Sequence, residues 1–322
     1  MTVTVSAQPV FRTGGSLGTC LTESEAAGRL SWTRTIDRSL VHRNAIAEVL
    51  LTDLIQVSET DFVIGAQWPR SHRVYRPDQD GRHDPMLILE TVRQAGLALS
   101  HVGFNVGRDQ QSVMHNVGFT LNPDTEPRAQ RAATNLTIGV HCLNVVYRGP
   151  ALRSMTVELR FAADGQKFAI GTGMISWLSR RTYSALRARS GARLSDPETP
   201  LAAAQPVQTL PMRAEPDSLL AAEPTGSDRH RQLVVPLDHP VYFDHPLDHA
   251  PGMMLIDAAW QAVAAMRGDG ARLVACLMQC PAFTELGPTT TIDLAPTAPD
   301  TTAFSVEQAG RQTANGTLRV RG

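Results

Sequence analysis

The feature that most constrains this chain is that it repeats itself at one fixed offset. His72 and His239 lie 167 positions apart, as do Val74 and Val241, Tyr75 and Tyr242, Met86 and Met253, Gln94 and Gln261, and Ala95 and Ala262. At the same offset Glu90 meets Asp257, so a carboxylate recurs at one place in two otherwise apolar runs. Self-similarity at a constant offset marks a duplicated structural unit, and a fold assigned to one half has to serve for both.

The two copies also share an order of elements. In the first, the strand-like runs "AIAEVLLTDL" and "DFVIGAQW" precede the helical "DPMLILETVRQAGLALSHVG", and "SVMHNVGFTL", "NLTIGVHCLNVVYRG", "SMTVELRFA" and "KFAIGTGMISWL" follow it. In the second, "SLLAA" and "RQLVVPL" precede "PGMMLIDAAWQAVAAM", followed by "RLVACLMQCPAF", "TTTIDLAP", "TTAFSVEQ" and "TANGTLRVR". A helix that is apolar almost all round has to be enclosed rather than laid on a surface. One long helix wrapped by a curved antiparallel sheet, twice over, is an α+β tandem double hotdog. Between about Thr182 and Pro216 the sequence is rich in Ala, Pro, Arg and Ser without sustained periodicity, which reads as a linker. The expected organisation is therefore an N-terminal extension over 1–30, a first hotdog over 31–182, a linker over 183–216 and a second hotdog over 217–322.

Composition removes several classes of function. A formal net charge of −1 gives no electrostatic reason to bind nucleic acid or an anionic membrane. Of the 30 basic residues only Lys167 is a lysine, so Schiff-base chemistry has almost no candidate, whereas arginine suits fork-like recognition of phosphate or carboxylate. Cys20, Cys142, Cys276 and Cys280 are too scattered for a disulfide framework or a zinc site and read as reduced packing residues. The N-terminus has no basic head before an apolar core, and Met253 to Met266 is too short to span a bilayer, so a cytoplasmic protein is expected. No dinucleotide fingerprint or phosphate loop is present and no cofactor is expected. "GGSLG" at Gly14 to Gly18 matches a nucleophile elbow, but no strand leads into it, so Ser16 is rejected.

The candidate chemistry lies on the two helices. Glu90 follows four apolar residues, and in a poorly hydrated site its neutral form would be favoured, the setting of a general acid or base. Its bland alternative is a structural ion pair with Arg93. Asp257 occupies the same place in the second copy. Asp84-Pro85 looks like ordinary capping, whereas Pro251-Gly252 lets a ligand approach bare backbone, whose free N–H groups could polarise a thioester carbonyl. His72 and His239 precede their helical acids by 18 residues, and His83 and His249 stand at the helix mouths; any of them could pair with the acids or be hydrogen-bonded loop residues. The Asp-His pairs of "DHPVYFDHPLDH" do not have metal-ligand spacing, and no metal is expected.

With the repeat and both helix motifs in view, the chain resembles the AfsA-like A-factor biosynthesis hotdog proteins. The resemblance is carried by "LVHRNAIAEVLLTD", "RHDPMLILETVRQA" and "DHPLDHAPGMMLIDAAWQA" and extends from about Ser31 to the end. It implies transfer of a β-ketoacyl group from acyl carrier protein to the hydroxyl of dihydroxyacetone phosphate, on the way to γ-butyrolactone signalling molecules. It further implies that Glu90 takes the proton from that hydroxyl. Where the family pattern has an arginine after the second-half acid, this chain has Trp260, while Arg93 keeps that place in the first half. A tryptophan cannot supply a phosphate fork, so the pattern implies one complete site on Glu90 and Arg93 and one altered site on Asp257 and Trp260. Similarity to β-hydroxyacyl-ACP dehydratases implies the same carrier thioester, but Phe243 and Arg76 stand where their loop histidine would fall. Acyl or lactone binding without turnover, and thioester hydrolysis, are the alternative activities.

Overall fold

A computed structural model describes residues 11–13, 21–189, 217–221, 228–268 and 270–321. The stretch 14–18 with Ser16, Cys20, and most of the expected linker lie outside them.

The chain is a tandem double hotdog of the α+β class. Strand β1 (Phe11–Thr13) pairs in parallel with β2 (Leu51–Gln56), and a short helix α1 (Glu23–Ala27) lies between them in sequence. The first copy continues with β3 (Asp61–Trp68), helix α2 (Met86–Val102), β4 (Gln111–Leu121), β5 (Thr134–Arg148), β6 (Ala151–Ala163) and β7 (Gln166–Leu178). Helix α3 (Arg180–Arg189) leads toward the second copy, which contains β8 (His230–Gln232), helix α4 (Gly252–Arg267), β9 (Arg272–Gln279), β10 (Thr290–Ala298), β11 (Thr301–Gln308) and β12 (Arg311–Arg321). All the strands join one sheet in the order β1-β2-β3-β5-β6-β7-β4-β9-β12-β11-β10-β8. The seam between copies is the antiparallel β4–β9 pair, Asn116 opposite Gln279 through Thr120 opposite Ala275.

The sheet encloses both helices, which explains their apolar surface on every side. From Met86 to Ala95 only Arg93 of α2 is not buried, and from Met253 to Ala264 every residue of α4 is. Polar groups carried inside find partners: the indole of Trp68 donates to Thr91 Oγ1 at 3.0 Å, and that of Trp177 to Ser100 Oγ at 2.9 Å. Among the described residues no helix is long and apolar enough to cross a membrane.

Three strand expectations are shortened, for a common reason. "AIAEVLLTDL" begins as a 3-10 turn at Ile46–Glu48, and its strand starts only at Leu51. The Gln94 side chain accepts from Leu50 N (2.9 Å) and donates to the Glu48 carbonyl (2.7 Å), so helix α2 takes backbone groups that a sheet would have used. Gln261 does the same in the second copy, accepting from Leu219 N and donating to the Asp217 carbonyl. There "SLLAA" contributes an isolated bridge, Leu220 to Leu233, and "RQLVVPL" only the end of β8. The first residues of the expected linker belong to α3, because Tyr183 and Arg187 find carboxylate partners far along the chain.

Gly118 sits at the seam, where a Cβ would lie 2.6 Å from the Cys276 carbonyl oxygen. Gly118→Ala is therefore expected to lower stability by about 2 kcal/mol, as overpacking against backbone does. Denaturant unfolding would show it, and an unchanged midpoint would mean that the two copies are not held together at this point.

Candidate active site

Glu90 is 3 % exposed and is gripped by two guanidinium groups. Arg93, one turn on, places Nε 3.0 Å from Oε2 and Nη2 2.9 Å from Oε1. Arg43, distant in sequence, puts Nη2 2.8 Å and Nε 3.2 Å from Oε1, while Gln94 donates to the same oxygen at 2.7 Å. Burial alone would raise the Glu90 pKa, but Arg43 and Arg93 outweigh it and hold the carboxyl well below the ordinary range. The expectation of a carboxyl poised near neutrality is thus corrected: apolar neighbours in sequence say nothing of the arginines that the fold brings in. One carboxylate shared by two guanidiniums also leaves a net positive charge beside it. Arg43 reaches further, donating to the Val241 carbonyl of the second copy at 2.8 Å.

Asp257 has other company. It is fully buried, accepts a short hydrogen bond from the Tyr242 hydroxyl, and takes another from Gln261 at 3.1 Å. Trp260, at the place of Arg93, is packed into the core at 2 % exposure. The histidines of the repeat are equivalent in detail. His72 Nδ1 accepts from the backbone N–H of Val74 and Tyr75, and His239 Nδ1 from those of Val241 and Tyr242. Their Nε2 atoms face Glu48 and Asp217, each at 3.2 Å. A ring nitrogen accepting two amide protons carries none, so both rings are turn-forming acceptors at Nδ1 and donors at Nε2.

A cavity of about 720 Å³ opens between the copies. One part of its wall carries Arg38, Arg43, Arg93 and Arg108, with His42 and His245 among them. Among the described residues Asp248 is the one carboxylate in the lining. Apolar wall comes from Val92, Leu97, Met114, Val117, Val157 and Ile175, and the start of α4 from Pro251, Gly252 and Met253. Burial, followed by the charges of His101 and Arg93, pushes His42 down to about 3, so it is neutral. Its tautomer follows from the chain of contacts. His101 Nδ1 must donate to the Val106 carbonyl (2.9 Å), so its Nε2 accepts from His42 Nε2 (2.9 Å).

The two helix starts differ. Asp84 Oδ1 accepts from Met86 N at 2.9 Å, so α2 is capped and closed. Pro251 offers α4 no side-chain cap, and the first-turn N–H groups of Gly252 and Met253 have no intrahelical acceptor. Gly252 also admits close approach: a Cβ there would collide with the Met114 methyl at 2.1 Å.

Of the residues singled out from sequence, Arg93, His249 and Gly252 line the cavity, while Glu90 stands behind Arg43 and Arg93. His72, His83, Asp257 and Trp260 do not line it. His83 is buried edge-on to Trp68 with Nε2 2.7 Å from Thr134 Oγ1. The expected catalytic place of Asp257 and the expected substrate contacts of His72, His83 and Trp260 thus lie away from this cavity, among buried residues of their own copies. Sequence reasoning missed Arg43, Arg108, His42 and Tyr242. Arg43 and His42 lay in the quoted "LVHRN", but nothing in local spacing connected that loop to Glu90. The Asp-His pairs separate as well: Asp244 accepts from Asn44 N and Ala45 N, and Asp248 binds His249.

Two helices enclosed by one continuous sheet, with a cavity between the copies and an open helix start, define a tandem double hotdog protein. Its fold is similar to the crystal structure of an acyl-ACP thioesterase from Bacteroides thetaiotaomicron (TM-score 0.50, 13% identity, covering 80% of this chain and 98% of that one). The A-factor biosynthesis hotdog domain matches residues 25–179 and 212–321, and the chain belongs to that family. It is 38% identical over 236 residues to a 2-oxo-3-(phosphooxy)propyl 3-oxoalkanoate synthase of Streptomyces virginiae, covering 73% of this chain and 78% of the relative. An enzyme of the same name from Streptomyces coelicolor is 28% identical over 237 residues, covering 72% and 73%.

Removing Glu90 would leave two inward-facing guanidiniums without their shared counter-charge. Glu90→Gln is expected to lower stability near neutrality by about 3 kcal/mol. Because the folded-state pKa lies below the ordinary 4.5, this stabilisation is present above that value and is lost as pH falls through the acid range beneath it. Urea midpoints followed on acidification should fall more steeply for the wild type than for the variant, and parallel curves would contradict the ion-pair assignment.

Proposed function

We propose that this protein transfers a 3-oxoacyl group from the thioester of an acyl carrier protein to the hydroxyl of dihydroxyacetone phosphate. The product would be a phosphorylated 3-oxoalkanoate ester, a precursor of γ-butyrolactone-type signalling molecules. The observation that carries this reading is a single cavity that combines a ring of arginines, an apolar wall and an uncapped helix start.

Each part has a task in the reaction. A phosphate dianion needs positively charged forks, which Arg93 and Arg108 supply with Arg38 and Arg43 beside them. The acyl chain lies along Val92, Val117, Val157 and Ile175. The thioester carbonyl faces the N–H groups of Gly252 and Met253, where the helix dipole adds to the stabilisation of an oxyanion. Glu90 is a positioning residue in this account, holding Arg43 and Arg93 in fork geometry as a permanent anion. Trp260 no longer counts against a phosphate-bearing acceptor, because the arginines of the first copy line the cavity and residue 260 does not.

The test is to incubate purified protein with a 3-oxoacyl carrier protein, with and without dihydroxyacetone phosphate, and to follow carrier mass and products. Acyl loss that requires the acceptor, with a phosphorylated ester formed, is expected. Acyl loss without acceptor would make the protein a thioesterase, and no loss would leave a binding protein. Arg108→Ala, which leaves the Glu90 cluster untouched, should raise KM for dihydroxyacetone phosphate by about 10- to 100-fold, the loss of one or two charge-assisted hydrogen bonds. An unchanged KM would move the phosphate elsewhere.

A further inference from the structure

With Glu90 committed as an anion behind two arginines, the proposed transfer lacks a group to take the proton of the attacking hydroxyl. The cavity wall contains an imidazole hydrogen-bonded to a carboxylate that can supply it. His249 Nδ1 lies 2.6 Å from Asp248 Oδ1, three residues before the Gly252 N–H that faces the thioester in the proposed reaction. Burial would raise Asp248, but the hydrogen bonds from His249 and Tyr183 and the charge of Arg187 bring it well below the ordinary carboxylate range. An ionised carboxylate only accepts, so Nδ1 carries the proton and the neutral ring keeps its lone pair on Nε2.

The pair is anchored from outside its own loop. From α3, the Tyr183 hydroxyl donates to Asp248 Oδ1 at 2.8 Å, Arg187 Nε to Oδ2 at 3.1 Å, and Arg187 Nη2 to the Asp248 carbonyl at 2.7 Å. Arg187 is in turn fixed by Glu285, with Nη1 and Nη2 2.8 and 2.7 Å from its two oxygens. Phe283 packs between them: its ring centroid is 4.8 Å from that of His249 and 5.8 Å from that of Tyr183, and the Arg187 guanidinium carbon lies 4.6 Å above it. The charged and titratable groups around the imidazole are thus Asp248 on its own loop, Tyr183 and Arg187 on α3, and Glu285 after β9. None of these contacts is reproduced at the 167-residue offset, where Arg82 stands at the place of His249 and Gly81 at that of Asp248. A feature confined to one copy and built from three segments is not explained by the duplication of the fold.

We infer that His249, oriented by Asp248 and braced by Tyr183 and Arg187 of α3, is the general base of the acyl transfer. The step rests on the function proposed above. His249 Nε2 takes the hydroxyl proton as the oxygen bonds to the thioester carbon, and the carbonyl electrons move onto oxygen toward the Gly252 and Met253 N–H groups. When the C=O double bond reforms, the C–S bond breaks, and the carrier thiolate takes the proton from His249 Nε2. Ester and free thiol result, with no external oxidant or proton source.

The test compares the full-length wild type with His249→Ala, Asp248→Asn and Tyr183→Phe at saturating 3-oxoacyl carrier protein. His249→Ala should lower kcat by about 100-fold or more, the usual contribution of a positioned base, with KM for dihydroxyacetone phosphate nearly unchanged. Asp248→Asn should lower kcat by about 10-fold or more with KM for dihydroxyacetone phosphate nearly unchanged, since the carboxylate that orients the ring through Nδ1 is gone. Tyr183→Phe should lower kcat by only a few-fold, and a circular dichroism spectrum matching the wild type would show each variant folded. If His249→Ala or Asp248→Asn keeps wild-type kcat, the assignment is overturned although the transferase stands. If the wild type only hydrolyses the thioester, the transferase reading falls, and loss of hydrolysis in His249→Ala still supports the base with water as nucleophile. Hydrolysis unaffected by that substitution would overturn the base too, and a wild type inert in both assays would overturn both proposals.

Discussion

One buried carboxylate shared by two arginines is the constraint on which the rest of the site depends. Glu90 cannot lie unpaired inside a closed sheet, because an isolated ion in a poorly polar interior is costly. It is matched by Arg93 from its own helix and by Arg43 from the 38–44 loop, and Arg43 also holds the Val241 carbonyl. The same cluster therefore fixes the loop that carries His42, orients the arginine wall of the cavity and ties the first copy to the second. The asymmetry of the molecule follows from it. At residue 260, the place of Arg93 in the repeat, a tryptophan is packed in the core, and Asp257 accepts from Tyr242 and Gln261 instead of from arginines.

What emerges is a division of labour between duplicated halves. The first copy carries the charged cluster and closes its helix start with Asp84, and the second has Trp260 at the place of Arg93 and leaves its helix start uncapped at Gly252. The cavity between the copies is composite, lined by residues of both. The shared skeleton, His72 with Glu48 and His239 with Asp217, serves to fold both helix entries in the same way. Residues retained in both copies are thus chiefly those that build the fold, and the residues that face the cavity are mostly those in which the copies differ.

Most of the architecture was legible in the sequence because the repeat offset, the apolar helices and the alternating strands are local or periodic signals. Glu90, Arg93, His249 and Gly252 could be found for the same reason, since each sits on or next to a helix that the pattern defines. The state of Glu90 could not, because its second arginine comes from position 43, whose approach depends on tertiary folding. Arg108 and Tyr183 likewise gain their places only when distant segments meet. Residues 183–189 read as linker from composition, yet Tyr183 and Arg187 are fixed by carboxylates beyond position 240. The shortened strand at Leu51 has a similar origin, in a helix side chain that takes backbone groups from the sheet.

The central claim is that one composite cavity binds the phosphate with the first copy and the acyl carbonyl with the second. A crystal structure with a stable amide analogue of the 3-oxoacyl ester of dihydroxyacetone phosphate tests it most directly. The account predicts the phosphate against Arg93 and Arg108, with the acyl oxygen at the amides of Gly252 and Met253. A ligand seated beside Trp260 and Asp257, or a phosphate remote from both arginines, would contradict it.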